Sequence, residues 1–217
     1  MRPWLHQWSA DLVKERYVDA DEDVHFTRSL ARTVIEEFTT PGQTVLDPFA
    51  GYGTTLVVAD ELGRRAVGIE FLAERVEMIR ERLEGAGEVI HGDARRVSEL
   101  VSGPIDLCFT SPPYMPAVDH PENALNAYET TDGHYPTYLR ELGDVFGQVA
   151  GLLRPGGHAV INVGNMQDDG VVTTLAWDLA REVSEHLRFV REVFLCWDEQ
   201  PEWLTGDYLL VFQRPPE

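Results

Sequence analysis

From about residue 26 onward, apolar runs of strand length alternate with amphipathic stretches of helix length. That is the pattern of an α/β sheet with helices on both faces. Residues 27–38 have helical periodicity, and Pro41-Gly42 ends the helix before the first strand at 44–47. A helix at 54–62 stops at Gly63, a second strand follows at 66–70, a helix at 72–83, a third strand at 89–92 and a fourth at 105–110. Beyond an irregular stretch at 115–135 come a helix at 138–153, a stop at Pro155-Gly156-Gly157, a fifth strand at 158–163 and a helix at 171–187. The last two apolar runs, 189–197 and 208–213, are joined by about ten residues. That is too short for a helical crossover, so they should pair antiparallel. The expected fold is a mostly parallel seven-stranded sheet, Rossmann-like, with one antiparallel strand near the edge. It would occupy residues 26–217, after an N-terminal extension at 1–25.

A chain of 217 residues is long enough for one domain with a substantial core. Its 37 acidic and 18 basic side chains leave a formal charge of −19, a field that repels polyanions. Cys108 and Cys196 both lie in strand-like runs and are expected as buried thiols in a reducing compartment. No window approaches the length of a membrane span and the first residues lack a hydrophobic stretch, so a cytoplasmic location without membrane contact is expected.

Two stretches carry chemistry. The first strand runs into Asp47-Pro48-Phe49-Ala50-Gly51-Tyr52-Gly53-Thr54-Thr55. Gly51 and Gly53 let the backbone turn tightly and approach a ligand, and the helix opening near Thr54 aims its free amides at it. Glu70 ends the second strand, 23 residues after Asp47, where it can accept hydrogen bonds from ribose hydroxyls. The run is not the dinucleotide fingerprint and has no phosphate-cradling Lys, so a nucleoside without phosphates suits it better than NAD or ATP. Asp93, after the third strand, lies on the same rim and could accept from an adenine amino group; alone it would read as a helix cap.

The fourth strand ends in Ser111-Pro112-Pro113-Tyr114. An amino group on a heteroaromatic ring has a delocalised lone pair and is a poor nucleophile. The Ser111 hydroxyl and Pro112 carbonyl can accept its hydrogens and draw it toward tetrahedral geometry. The two prolines fix the carbonyl's direction, and Tyr114 can stack on the ring. A Pro-Pro turn after a strand is the competing reading of the tetrapeptide taken alone.

Together the two motifs resemble those of the S-adenosylmethionine-dependent amino-methyltransferases of DNA, which carry Asp/Asn/Ser-Pro-Pro-Tyr/Phe/Trp and Asp-Pro-Phe-x-Gly-x-Gly-Thr-Thr. The likeness covers about residues 24–213. It implies S-adenosylmethionine as cofactor, a methyltransferase domain over 26–217, and direct in-line transfer to an exocyclic amino group in DNA. It further implies cofactor contacts from Asp47, Phe49, Gly51, Gly53, Thr54, Thr55, Glu70 and Asp93, and catalytic roles for Ser111, Pro112, Pro113 and Tyr114. His25-Phe26-Thr27-Arg28 resembles the family's extra cofactor motif, which places Phe26 and Thr27 at the methionine end. Ser in the first catalytic position implies cytosine ahead of adenine.

Two features depart from the family. No unassigned segment is long enough for a separate target-recognition region. The 115–135 stretch holds Asp119, Glu122, Glu129 and Asp132 with neither Lys nor Arg, whereas base flipping needs a basic surface for the flanking phosphates. DNA therefore leads as substrate, beside three alternatives: a small-molecule, RNA or protein nitrogen as acceptor; a basic partner subunit; or a non-catalytic cofactor-binding role. His120 and His134 are scattered, and no metal is expected.

Overall fold

The computed structural model describes residues 1–16, 26–117, 121–168 and 170–216. In chain order the elements are β1 (Trp4–Gln7), α1 (Ser9–Glu15), α2 (Arg28–Phe38), β2 (Thr44–Asp47), α3 (Thr54–Glu61), β3 (Arg65–Glu70), α4 (Ala73–Arg82) and β4 (Glu88–His91). Then follow α5 (Val97–Leu100), β5 (Ile105–Thr110), α6 (Tyr135–Leu152), β6 (Leu153–Asp168), β7 (Val171–Thr173), α7 (Leu175–Ser184), β8 (Arg188–Trp197) and β9 (Leu204–Gln213). One sheet runs β1-β8-β9-β6-β5-β2-β3-β4, with β7 paired to β6. Only β9 and β7 pair antiparallel with their neighbours.

All seven expected strands are present, and two more join them. β1 adds to the outer edge, parallel to β8 in the register Trp4↔Phe194. Four residues with a polar His6 carry too little periodicity to announce a strand, and it is the open edge of β8 that makes them one. β7 takes the first three residues of the helix expected at 171–187. Val171, Val172 and Thr173 are β-branched and lose rotamer freedom in a helix, so they fold back on the end of β6, and α7 starts only at Leu175.

The apolar residues divide into two layers. α2, α3 and α4 cover one face with Leu30, Val34, Leu56, Val58, Val76 and Ile79. α6 and α7 cover the other with Leu142, Val145, Phe146, Leu175 and Leu179. β5 feeds both, with Leu107 and Phe109 on the first face and Ile105 and Cys108 on the second. A register shift between Ile105 and Leu107 explains why those two leave strict alternation. Phe109 is fully buried and its ring centroid lies 4.8 Å from that of Phe26, so truncating it to Ala should cost about 3–5 kcal/mol.

The outer strands bury only one face. Val193 and Leu195 are core residues, whereas Phe194 and Cys196 on the same strand are exposed. Of the two thiols expected to be buried, Cys108 is and Cys196 is not, because alternation turns it to the uncovered side. No described helix is long and apolar enough to cross a membrane.

Candidate active site

β2 lies between β5 and β3. The chain leaves β2 toward β3 and returns to its other side as β5, and loops diverge above the strands where such an order reverses. There lies a cavity of about 410 Å³. Its wall draws on the ends of four strands: Asp47–Tyr52 after β2, Glu70 and Phe71 after β3, Gly92 and Asp93 after β4, and Ser111–Tyr114 after β5. Phe26 and the turn at Ala124, Leu125, Ala127 and Tyr128 complete it.

On one side the polar groups are acceptors. Glu70 is buried, and its two oxygens each take one backbone N–H, from Gly51 at 2.8 Å and from Leu72 at 2.9 Å. A carboxylate offers about four lone-pair sites, so capacity remains for a ligand. Burial raises its pKa, against the two amides and the charge of Arg75. Asp47 is pushed up to about 6 by burial, opposed first by the Thr110 hydroxyl, which donates to Oδ1 at 2.6 Å. Since Thr110 ends β5, this bond ties the loop that follows β2 to the strand that carries Ser111. Asp93 caps the turn after β4 and receives the backbone amide, Nε and Nη2 of Arg95 at 2.6–3.0 Å.

The glycines of the loop do different things. Gly53 has φ +81 as the residue before α3, and a Cβ there would meet Ile79 Cγ1 at 2.8 Å, so any side chain at this position is both strained and crowded. Gly51 has φ +55 with nothing near a Cβ, and it lines the cavity with its amide held by Glu70.

The other side is the Ser111–Tyr114 loop, and three tyrosines hold it. Tyr138, on α6, donates to the Pro113 carbonyl at 2.6 Å, and Tyr128 donates to the Tyr114 carbonyl at 2.7 Å. Tyr114 in turn accepts from the Gly164 amide of β6 at 2.8 Å. Burial drives its phenol well above the ordinary value, so it stays protonated; the Gly164 amide and the Ser111 hydroxyl pull the other way. The Tyr114 ring meets Trp203 edge-on at 6.3 Å.

Of the residues singled out in the sequence, Phe26, Asp47, Phe49, Gly51, Thr54, Glu70, Asp93, Ser111, Pro112, Pro113 and Tyr114 share this one cavity. Thr27, Gly53 and Thr55 stand behind its wall. Thr27 caps α2, accepting from the Leu30 amide at 3.1 Å and donating to Gln7 at 3.0 Å. Thr55 is buried, and its hydroxyl makes no well-formed hydrogen bond although it lies close enough to Asp47 to ease that ionisation. His25, Asp119 and His120 lie outside the described residues. Among the described residues no cluster of His, Cys, Asp and Glu is arranged to hold a metal.

Sequence reasoning did not single out Phe71, Tyr52, Arg75, Tyr128 or Tyr138. Phe71 directly follows Glu70 and could have been found by position. Tyr52 lies within the cofactor loop and carries the Arg75 guanidinium 4.6 Å from its ring centroid. Nothing local marks Tyr128 and Tyr138, whose partners are 14 and 25 residues away.

Buried acceptors, aromatic walls and no lysine fit S-adenosylmethionine, a nucleoside that carries positive charge and no phosphate. Comparison with known proteins agrees. The family model N6_N4_Mtase, described as DNA methylase, matches residues 7–81, which hold the cofactor loop and Glu70. The type II methyltransferase M2.DpnII of Streptococcus pneumoniae is 39% identical over 84 residues, covering 37% of this chain and 31% of that one. The DNA adenine methyltransferase YhdJ of Escherichia coli is 32% identical over 111 residues, covering 47% and 37%. These matches span about a third of each relative's length. The crystal structure of TrmN from Thermus thermophilus superposes with a TM-score of 0.65 at 19% identity, over 87% of this chain and 49% of that one, a likeness of fold. In its Asp47–Thr55 segment, its Ser111–Tyr114 tetrapeptide and these matches, the chain is similar to the amino-methyltransferases of DNA.

Proposed function

We propose that this chain methylates an exocyclic amino nitrogen of a nucleobase in DNA, with cytosine N4 favoured and adenine N6 next. One observation carries the reading. The acceptor-rich loop of Asp47, Gly51 and Glu70 and the Ser111–Tyr114 loop open into the same cavity, so a donor and an acceptor bound there would be adjacent.

S-adenosylmethionine supplies an electrophilic methyl group on a sulfonium. Around it, Glu70 would take the ribose hydroxyls, Asp93 the adenine amino group, and Asp47 with Phe26 and Phe49 would border the methionine end. The Ser111 hydroxyl and Pro112 carbonyl would accept the two hydrogens of the target amino group, localising its lone pair for in-line attack. No covalent intermediate with the protein is needed, since the chain orients the two reactants and excludes water. The cytosine preference rests on Ser111, the first residue of the tetrapeptide.

The test is mass spectrometry of DNA nucleosides from cells with and without the chain, and from DNA incubated with the purified chain and cofactor. N4-methylcytosine supports the reading, N6-methyladenine moves it to the second base, and neither overturns it.

A second reading has its own support. Glu122, Glu129 and Asp132 are all exposed on the segment that borders the acceptor side, and they favour a neutral or cationic acceptor over a polyanion. Replacing them with Gln or Asn, together with Asp119, should raise activity on DNA if DNA is the acceptor, and lower activity on a cationic acceptor.

A further inference from the structure

Arg95 lies behind the cavity wall, yet it joins the two ends of that wall. Its backbone amide, Nε and Nη2 reach the Asp93 carboxylate at 2.6–3.0 Å, three hydrogens on about four lone-pair sites. The same Nη2 donates to Asn126 Oδ1 at 2.6 Å, and Nη1 to Glu141 Oε2 on α6 at 3.3 Å. Asn126 ends the short turn Ala124–Asn126 that lines the acceptor side of the cavity. Its amide donates to the Asn123 carbonyl, and its side chain donates to Thr130 Oγ1 at 2.9 Å.

That turn is in a conformation L residues avoid. Ala127 has φ +51 and Tyr128 φ +62, two left-handed non-glycine residues in succession. Such backbone persists only when its surroundings over-determine it. Here it is gripped on one side through Asn126 by Arg95, and on the other by the Tyr128 hydroxyl on the Tyr114 carbonyl at 2.7 Å. A continuous set of hydrogen bonds therefore runs from Asp93, at the cofactor half, to Tyr114, in the catalytic loop.

We infer that Arg95 is a positioning residue that couples Asp93 to the Asn126–Tyr128 turn, so that filling the cofactor half of the cavity stiffens its acceptor half. The inference rests on the methyltransferase reading, with Asp93 at the cofactor base. A guanidinium is required because one planar fork must serve the carboxylate and the amide oxygen together, which an ammonium on a flexible stem does poorly.

The experiment uses S-adenosylhomocysteine as probe, with its affinity read by calorimetry and chymotryptic cleavage after Tyr128 read by mass spectrometry. In the wild-type chain, saturating probe should slow that cleavage about tenfold, within the usual range of coupling between sites. Asn126→Ala should bind the probe within about twofold of wild type and lose the protection, because it cuts the link without touching Asp93. Arg95→Gln should lose both, with affinity about tenfold lower, and Arg95→Lys should fall between. A merely structural Arg95 would lower the melting temperature of its variants while leaving probe-dependent protection in Asn126→Ala intact, and that result overturns the coupling. So does wild-type probe affinity in Arg95→Gln; if that variant does not fold, Asn126→Ala decides alone. No binding of the probe to the wild-type chain would instead bring down the methyltransferase reading, and the coupling with it.

Discussion

Tyr138 donates its hydroxyl to the carbonyl of Pro113 at 2.6 Å, so the second proline of the Ser111–Tyr114 tetrapeptide is held by the long helix on one face of the sheet. Pro113 has no amide to anchor itself, and its carbonyl is what α6 can grip. Tyr138→Phe would leave that carbonyl without its donor, a loss of about 1–3 kcal/mol. At roughly 2–4 °C per kcal/mol for a chain of this size, the melting temperature should drop visibly. Turnover should fall with it while S-adenosylhomocysteine affinity stays at the wild-type value. Unchanged turnover would mean that the loop keeps its shape without α6.

Ser111 and Tyr114 should fail in different ways. Ser111→Ala removes an acceptor for the target amino group, so methyl transfer should slow with cofactor affinity nearly unchanged. Tyr114→Ala removes the ring and should weaken nucleobase binding by ~1–3 kcal/mol. Tyr114→Phe keeps the ring and loses the hydroxyl that accepts from Gly164, so it should retain acceptor affinity and lose some rate. Kinetics with a single-stranded oligonucleotide separate the three, and equal behaviour of Tyr114→Phe and Tyr114→Ala would speak against stacking.

Glu70 holds the backbone amides of Gly51 and Leu72, and in the proposed reading it also takes the ligand's ribose. Glu70→Ala should therefore weaken S-adenosylhomocysteine by roughly 1–3 kcal/mol and also lower the melting temperature, since the Gly51 and Leu72 amides lose their partner. Calorimetry and thermal denaturation of one sample give both values. Wild-type affinity in this variant would remove Glu70 from the cofactor site.

Gly51 and Gly53 should separate stability from binding. Both have positive φ, so an Ala at either position costs about 1–2 kcal/mol in backbone terms. At Gly53 the new Cβ also meets Ile79 at 2.8 Å, which makes Gly53→Ala the more destabilising of the two in urea titrations. Gly51→Ala, at a position that lines the cavity, should instead show the larger loss of cofactor affinity. The reverse order would contradict the placement of both.

Two buried acids set a pH dependence of stability. Burial raises Asp47 and Asp207 from 3.8 to about 6, and Asp207 is eased back by the Trp197 indole and the Asn162 amide. A carboxyl whose folded pKa lies above its unfolded value makes ionisation costly in the folded state. That cost is absent below about pH 4, grows as pH rises, and is complete above about pH 6. Between pH 7.5 and 5.5 the pair should return about 1.5 kcal/mol, raising the melting temperature by roughly 3–6 °C. Asp47→Asn keeps an oxygen for Thr110 and Phe49 and should remove about half of the rise. A melting temperature that is flat or falls toward pH 5.5 would show that these groups are not the buried titrating acids.

The strands and the two loops were legible in the sequence because their information is local. Thr44–Asp47 and Ile105–Thr110 are short strands buried along nearly their whole length, and each ends in a run of residues whose chemistry depends on the next few positions. Ser111-Pro112-Pro113-Tyr114 and the Asp47–Thr55 loop therefore declared themselves before any contact was known. Other features depend on which distant strand or helix lies alongside, and only the tertiary structure decided them. Trp4–Gln7 is a strand because β8 offers an open edge 190 residues later, and Cys196 is exposed because no described element covers that side of β8. The grip of Tyr138 on Pro113, and that of Arg95 on Asp93 and Asn126, needs α6, the β4 end and the acceptor-side turn to converge. Periodicity specifies which face of an element is buried. What that face meets, and which polar atoms then find partners, is settled by packing among elements whose order in the sheet no local pattern records.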